Sequence, residues 1–146
     1  PYLNRELFSE LGQRKADSCL LVFAKRDGYY IAGALNLIGG DCLYGRYCGA
    51  IEHHPFLQFE ICYYQANDYA IAHGLPRVEA GAQGQHKLAR GYVPQTTYSL
   101  HWFADRGLWD AVERFLKVER HHVERTKHAL LDLAPFKKEK GQQEGD

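Results

Sequence analysis

An α+β fold built on a mixed sheet is what the order of elements in this 146-residue chain predicts. Three apolar segments punctuated by turns read as an antiparallel meander, one uninterrupted stretch reads as a long central helix, and a charged amphipathic stretch reads as a long C-terminal helix. With 45% hydrophobic residues there is material for one core, and too little length for two comfortable ones.

The elements follow in order. YLNRELFSELG, residues 2–12, carries Leu3, Leu7, Phe8 and Leu11 at helical spacing, with Asn4 as cap and Gly12 as stop. SCLLVFAKR then predicts a strand, Asp27 and Gly28 a hairpin turn, and YYIAGALNLIG its partner. Gly39, Gly40 and Asp41 make the next turn, before a third strand, CLYGRYCGAI. From Pro55 to His73 nothing interrupts a helix, and Gly74 followed by Pro76 ends it. RVEAG is a strand short enough for a sheet interior, QGQHKLAR a short helix, TTYSLHWF a last strand, and residues 108–133 the long charged helix. Residues 137–146 form a polar tail expected to be disordered, leaving 1–136 as the single folded domain.

Composition excludes several functions. Eighteen basic and 18 acidic residues balance, so no global field favours duplex nucleic acid or an anionic membrane. Cys19, Cys42, Cys48 and Cys62 form no CxxC pair and read as reduced, buried thiols of a cytoplasmic protein. Of His121, His122 and His128 on the charged helix, His121 and His128 are spaced to bring two imidazoles about two turns apart, but no third ligand lies at short range, so no zinc site is expected. Neither a membrane span nor a signal peptide is visible. The start at Pro1 and the lack of Met suggest a piece of something longer.

Chemistry concentrates between Glu79 and Tyr92, in EAGAQGQHKLARGY. Gly81 and Gly84 allow close backbone approach to a ligand, Gln83 opens the short helix whose free N–H groups are able to face an anion, and Lys87 and Arg90, three apart, share a face. His86 is the side chain whose ordinary pKa lies near neutrality. The plainer reading is a turn followed by solvated cations. Glu60, an acid within FLQFEICYY, is expected to pair with a cation such as Arg46 rather than to catalyse.

The element order resembles the GNAT acyltransferase fold from its second helix onward, with the opening strand and first helix missing. In acetyl-CoA-dependent members the turn before the long helix carries [RQ]xxGx[GA]; RYCGAI keeps Arg46 and Gly49 but has Ile51 where Gly or Ala belongs. LYGRYCGAIEHHPFLQFEICYYQANDYAIAHGLPRVEAGAQGQHKLARGYVPQTTYSLHWF more closely resembles the FemAB-like peptidoglycan biosynthesis/recognition family, related to the FemABX aminoacyltransferases. That resemblance implies N-acyl transfer, with Glu79 and His86 as catalytic candidates and Arg46, Gln83, Lys87, Arg90 and Tyr92 as substrate-binding candidates. It implies no tightly bound cofactor, an acyl donor that is aminoacyl-tRNA or acyl-CoA, an amine acceptor, and a partner that is a preceding GNAT-like domain or a second copy. The chain departs from the family pattern at Cys48, Asn67, Gln85 and Arg106, where Trp, Ile, Glu and Pro are usual. Gln85 matters most, since a carboxylate there would stand beside His86 and Lys87. The alternatives are a recognition domain that keeps the fold without the chemistry, and a divergent acetyl-CoA-dependent enzyme.

Overall fold

The computed structural model describes residues 4–82 and 84–136, which divide between two compact units, Pro1–Gln83 and Gly84–Asp146. In the first unit, helix α1 (Arg5–Arg14) opens where Asn4 accepts a hydrogen bond from the Leu7 N–H at 3.0 Å. The cap stands where expected, but Gly12 does not stop the helix. Glu10 and Arg14, one turn apart, form an ion pair across the last turn.

The meander is as the turn chemistry predicts. β1 (Cys19–Arg26), β2 (Tyr29–Gly39) and β3 (Cys42–Ala50) pair antiparallel in sequence. Asp27 and Gly28 join the first two with φ of 50° and 85°, the doubly left-handed hairpin turn that matches strand twist.

The central helix, α2, covers 57–72 in three parts: α geometry at Leu57–Phe59, a wider π turn at Glu60–Tyr64, and α geometry again at Gln65–Ala72. It starts two residues after Pro55 because Phe56 adopts left-handed backbone, with φ of 66°. Its end is a Schellman cap: Gly74 takes φ of 65°, the Leu75 N–H donates to the Ala70 carbonyl at 2.8 Å, and the Gly74 N–H donates to Ile71. Such a helix is the crossover that parallel strands require. β4 (Arg77–Glu79) accordingly lies parallel to β3, with Cys42, Leu43 and Tyr44 opposite Arg77, Val78 and Glu79.

Two expectations need correction. β4 is an edge strand in the order β1-β2-β3-β4, not an interior one. TTYSLHWF forms no strand, although its residues alternate as a strand should. Alternation gives a segment a strand's faces but not the neighbour that must complete its backbone hydrogen bonds. Tyr98 is 90% exposed and Leu100 fully so.

The core lies between one face of the meander and α2. Ala32, Ala34 and Ile61 form its centre, with Val22, Ala24, Leu57 and Cys62 packed around them. Ala66 and Ala70, one turn apart on α2, are buried as well, and residues this small let the backbones approach closely. Leu43 is fully buried where β3 meets β4.

In the second unit, a 3₁₀ helix spans Gln85–Arg90, and the long helix, α3, spans Arg106–Asp132. Asp105 caps α3 by accepting from the Leu108 N–H at 2.6 Å. Lys127 donates from Nζ to the Thr96 hydroxyl at 3.0 Å, tying the connecting segment to the helix. The tail, 137–146, lies outside the described residues.

Candidate functional site

Two irregularities wall one cavity in the first unit. Along the β2–β3 ladder Leu35 opposes Tyr47 and Asn36 opposes Gly45, so Arg46 is the extra residue of a β-bulge. Across from it, the π turn of α2 contributes Cys62 and Tyr63. A cavity of about 100 Å³ lies between, lined also by Asn36, Gly45, Gln58 and Ala80. It opens where the β3–β4 ladder ends, since Ala80 immediately follows Glu79, the last paired residue. Gly45 helps to leave the space: a Cβ there would stand 3.4 Å from the Glu79 carbonyl oxygen and 3.7 Å from the Ala80 Cα.

The wall includes one buried polar group without a partner. Asn36 is 1% exposed, and its Nδ2 has no hydrogen-bond partner among the described residues. A buried amide left unpaired costs about 1–3 kcal/mol, which a fold retains only for a reason. Burial pushes the Cys62 thiol up to about 12, and a hydrogen bond with the Cys48 thiol adds to the rise. Cys62 therefore stays protonated at neutral pH and is no nucleophile there.

A larger cavity of about 370 Å³ lies beneath α1, walled mainly by Phe8, Leu11, Leu21, Phe23, Leu35 and Tyr47. Apart from the thiols of Cys19 and Cys48 and the Tyr47 hydroxyl, its lining is apolar, with no carboxylate, imidazole, cation or amide side chain. The smaller cavity is the better candidate for chemistry.

Arg46 is placed at the bulge, lining the cavity, with its guanidinium 5.3 Å from the centre of the Tyr47 ring. Glu79 ends β4, exposed, one residue from the cavity wall. Glu60 does not pair with Arg46; its carboxylate is exposed and accepts from the Gln65 side chain at 2.8 Å. A glutamate on the outer side of the helix needs no cation, because water solvates it. Residues 46–50 of RYCGAI lie within β3 rather than in a phosphate-binding turn.

His86, Lys87, Arg90 and Tyr92 share one local structure in the second unit. Gly84, with φ of 99°, has the His86 ring laid against it so closely that a Cβ would come within 2.5 Å of Cε1. Gly91 takes φ of 85° as the Tyr92 N–H donates to the Lys87 carbonyl at 3.2 Å and the Gly91 N–H to Leu88 at 2.9 Å, a second Schellman cap. Arg90 donates from Nη1 to the His86 carbonyl at 2.6 Å. Burial lowers the pKa of Lys87. Gln83 lies outside the described residues.

Residues 1–138 match the model of the FemAB-like family, whose description is peptidoglycan biosynthesis/recognition. The chain belongs to the FemAB-like family. No curated protein and no solved structure matches it significantly. Among the described residues of this FemAB-like chain, no helix is long and apolar enough to cross a membrane, and no three His, Cys, Asp or Glu side chains gather as a metal site.

Sequence reasoning missed Asn36, Gln58, Cys62 and Tyr63. For Asn36 a signal existed: it is the one amide in the apolar run YYIAGALNLIG. The other three come to the cavity through the π turn and the start of α2, which leave no mark in residue type.

Proposed function

We propose that this chain is an N-acyltransferase domain, delivering an aminoacyl or acyl group to an amine of a cell-wall precursor. The cavity where β3 and β4 part carries the reading: it is small, walled by two backbone irregularities, and bordered by a carboxylate-bearing strand end. Family membership supports the cell-wall setting. The amine attacks the acyl carbonyl carbon, a C–N bond forms, and the ester C–O bond of an aminoacyl-tRNA or the thioester C–S bond of an acyl-CoA breaks. The amine's proton passes to a base and the departing oxygen or sulfur ends protonated. Glu79 is our candidate base, with His86 as a second proton carrier. Lys87 and Arg90 are assigned to the donor's phosphates, and Arg46, Gln83 and Tyr92 to substrate contacts. In this reading the protein works in the cytoplasm, without a tightly bound cofactor, alongside a preceding domain or a second copy.

The test offers the chain radiolabelled aminoacyl-tRNA or acetyl-CoA together with a lysine-containing muropeptide, and follows label into amide. Glu79→Gln should reduce transfer at least a hundredfold, on the order expected of a general base. Transfer from neither donor would sink the reading.

A second reading is recognition without transfer. The neutral amide of Asn36 as the cavity's buried polar group favours it, as does the word recognition in the family's description. Saturable muropeptide binding with no turnover from either donor would select it.

A further inference from the structure

We infer that Cys48 and Cys62 form a reversible disulfide when a peroxide reaches them, and that the bridge fastens β3 to the π turn of α2 in the wall of the smaller cavity. The inference goes beyond acyl transfer and does not rest on it.

Both residues line that cavity, Cys48 from the sheet and Cys62 from the helix. The ladder explains how they meet. Cys48 stands directly opposite Ala34 on β2, and residues opposed in this way turn their side chains to the same face of a sheet. Ala34 belongs to the core beneath α2, and Cys62 packs against that core. The two thiols are accordingly in hydrogen-bonding contact. The other cysteines are placed elsewhere: Cys42, fully buried, begins β3, and Cys19 begins β1.

Exposure sets the order of events. Cys48 is exposed and Cys62 half-buried, so a peroxide meets Cys48 first. The Cys48 sulfur, having given its proton to water, attacks one oxygen of hydrogen peroxide; an S–O bond forms, the O–O bond breaks, and the departing hydroxide takes up that proton and leaves as water. Cys48 is then a sulfenic acid. Cys62, protonated at neutral pH and inert alone, now lies beside a hydroxyl group that accepts its proton. Its sulfur attacks that of Cys48, the S–S bond forms, the S–O bond breaks, and the hydroxyl leaves as water. Two thiols and one hydrogen peroxide give one disulfide and two waters, the sulfurs losing two electrons and the peroxide gaining them. Capture by a neighbouring thiol also stops oxidation before the irreversible sulfinic acid. The bridge closes the connection from β3 to α2 into a ring, so local opening of the π turn at Glu60–Tyr64 would have to carry β3 with it.

The experiment treats the 146-residue chain with a small molar excess of hydrogen peroxide near neutral pH, with dimedone present to trap sulfenic acid, and then blocks remaining thiols with N-ethylmaleimide. Cys48 and Cys62 share one tryptic peptide, Tyr47–Arg77, so a glutamate-specific protease is added to cut after Glu52 and Glu60 before mass spectrometry without reduction. Residues 47–52 should appear joined to the peptide that starts at Ile61, and dithiothreitol should separate them. In Cys62→Ser, Cys48 should stop at the sulfenic acid and carry several-fold more dimedone than in the unsubstituted chain. Amide exchange at Ile61–Tyr64 should slow several-fold on oxidation and recover with dithiothreitol. Dimedone or sulfinic acid on Cys48 without a link to Cys62 in the unsubstituted chain overturns the inference, whether or not Cys62→Ser folds. A link made instead to Cys19, to Cys42 or to a second copy overturns it as well. A link between Cys48 and Cys62 that leaves exchange at Ile61–Tyr64 unchanged overturns the fastening of the turn.

Discussion

Arg77, the first residue of β4, donates to the Asp41 carboxylate at 2.5 Å and ties the edge strand to the turn between β2 and β3. The hydrogen bond from Arg77 is the main cause holding the Asp41 carboxyl below the usual carboxylate range. Since the folded pKa is depressed, the tie is fully present above about pH 4 and is lost as pH falls through the lowered value. Native-state hydrogen-exchange protection at Val78 and Glu79, corrected for the intrinsic rate at each pH, should therefore fall a few-fold at pH 3. Arg77→Ala should lower the protection by the same factor at pH 6 and leave no further fall at pH 3. An unchanged exchange profile in Arg77→Ala would mean that the backbone ladder holds β4 alone.

Leu43 is fully buried where β3 meets β4, next to the point at which those strands part. Leu43→Ala should cost about 2–5 kcal/mol, because the surrounding strands cannot close over the lost volume. Urea titration followed by circular dichroism measures it; a loss below 1 kcal/mol, the range of surface substitutions, would contradict the packing.

Gly91 ends the 3₁₀ helix with φ of 85°, and a Cβ there would stand 3.1 Å from Cζ of Phe136. Gly91→Ala should destabilise the second unit by about 1–2 kcal/mol from the left-handed backbone alone, and by more if Phe136 cannot shift. Differential exchange of the Gly91 and Tyr92 amides, both donors in the cap, locates the effect.

Cys62 and Cys48 should differ in reactivity. Cys48 is exposed, while the Cys62 thiol is pushed up to about 12, first by burial and then by its bond with Cys48. Iodoacetamide at pH 8 should alkylate Cys48 first, as peptide mass spectrometry would show. Linkage gives the sign for stability. The unfolded thiol ionises near 9 and the folded one near 12, so stability contributed by the protonated thiol falls as pH rises between them. Cys62→Ser should flatten that part of the pH–stability curve.

Local chemistry was legible and partnership was not. Asn4 announced a cap, Asp27-Gly28 a hairpin and Gly74 a helix end, because each element is specified within a few residues. TTYSLHWF carried every local mark of a strand, but a ladder is a property of two segments. Gly12 failed as a stop because a glycine within a helix costs only about 1 kcal/mol relative to alanine, which a helix tolerates, and the exposed Glu10–Arg14 pair offsets part of it. For the site, Arg46, expected as a substrate contact, lines the cavity, and Glu79, expected as a catalytic residue, ends its strand one residue from the wall. Asn36 was passed over because an amide in a strand can face either way until register is known. The Gly-Tyr pair of HKLARGY, first valued for substrate contact, also has a full structural explanation in the cap it builds.

The π turn at Glu60–Tyr64 makes α2 forgiving of one particular change in chain length. A π turn holds one residue more than an α turn while leaving the helix on either side in phase. Deleting a single residue there would let the helix relax to ordinary pitch with Leu57, Ala66 and Ala70 still turned to the sheet, whereas a deletion nearer either end would swing every later side chain by about 100°. What the shortened helix would lose is the displacement that carries Cys62 and Tyr63 to the cavity. Related chains one residue shorter at this point would therefore share the scaffold without the pocket, and an alignment gap here would separate lineages that have it from those that do not.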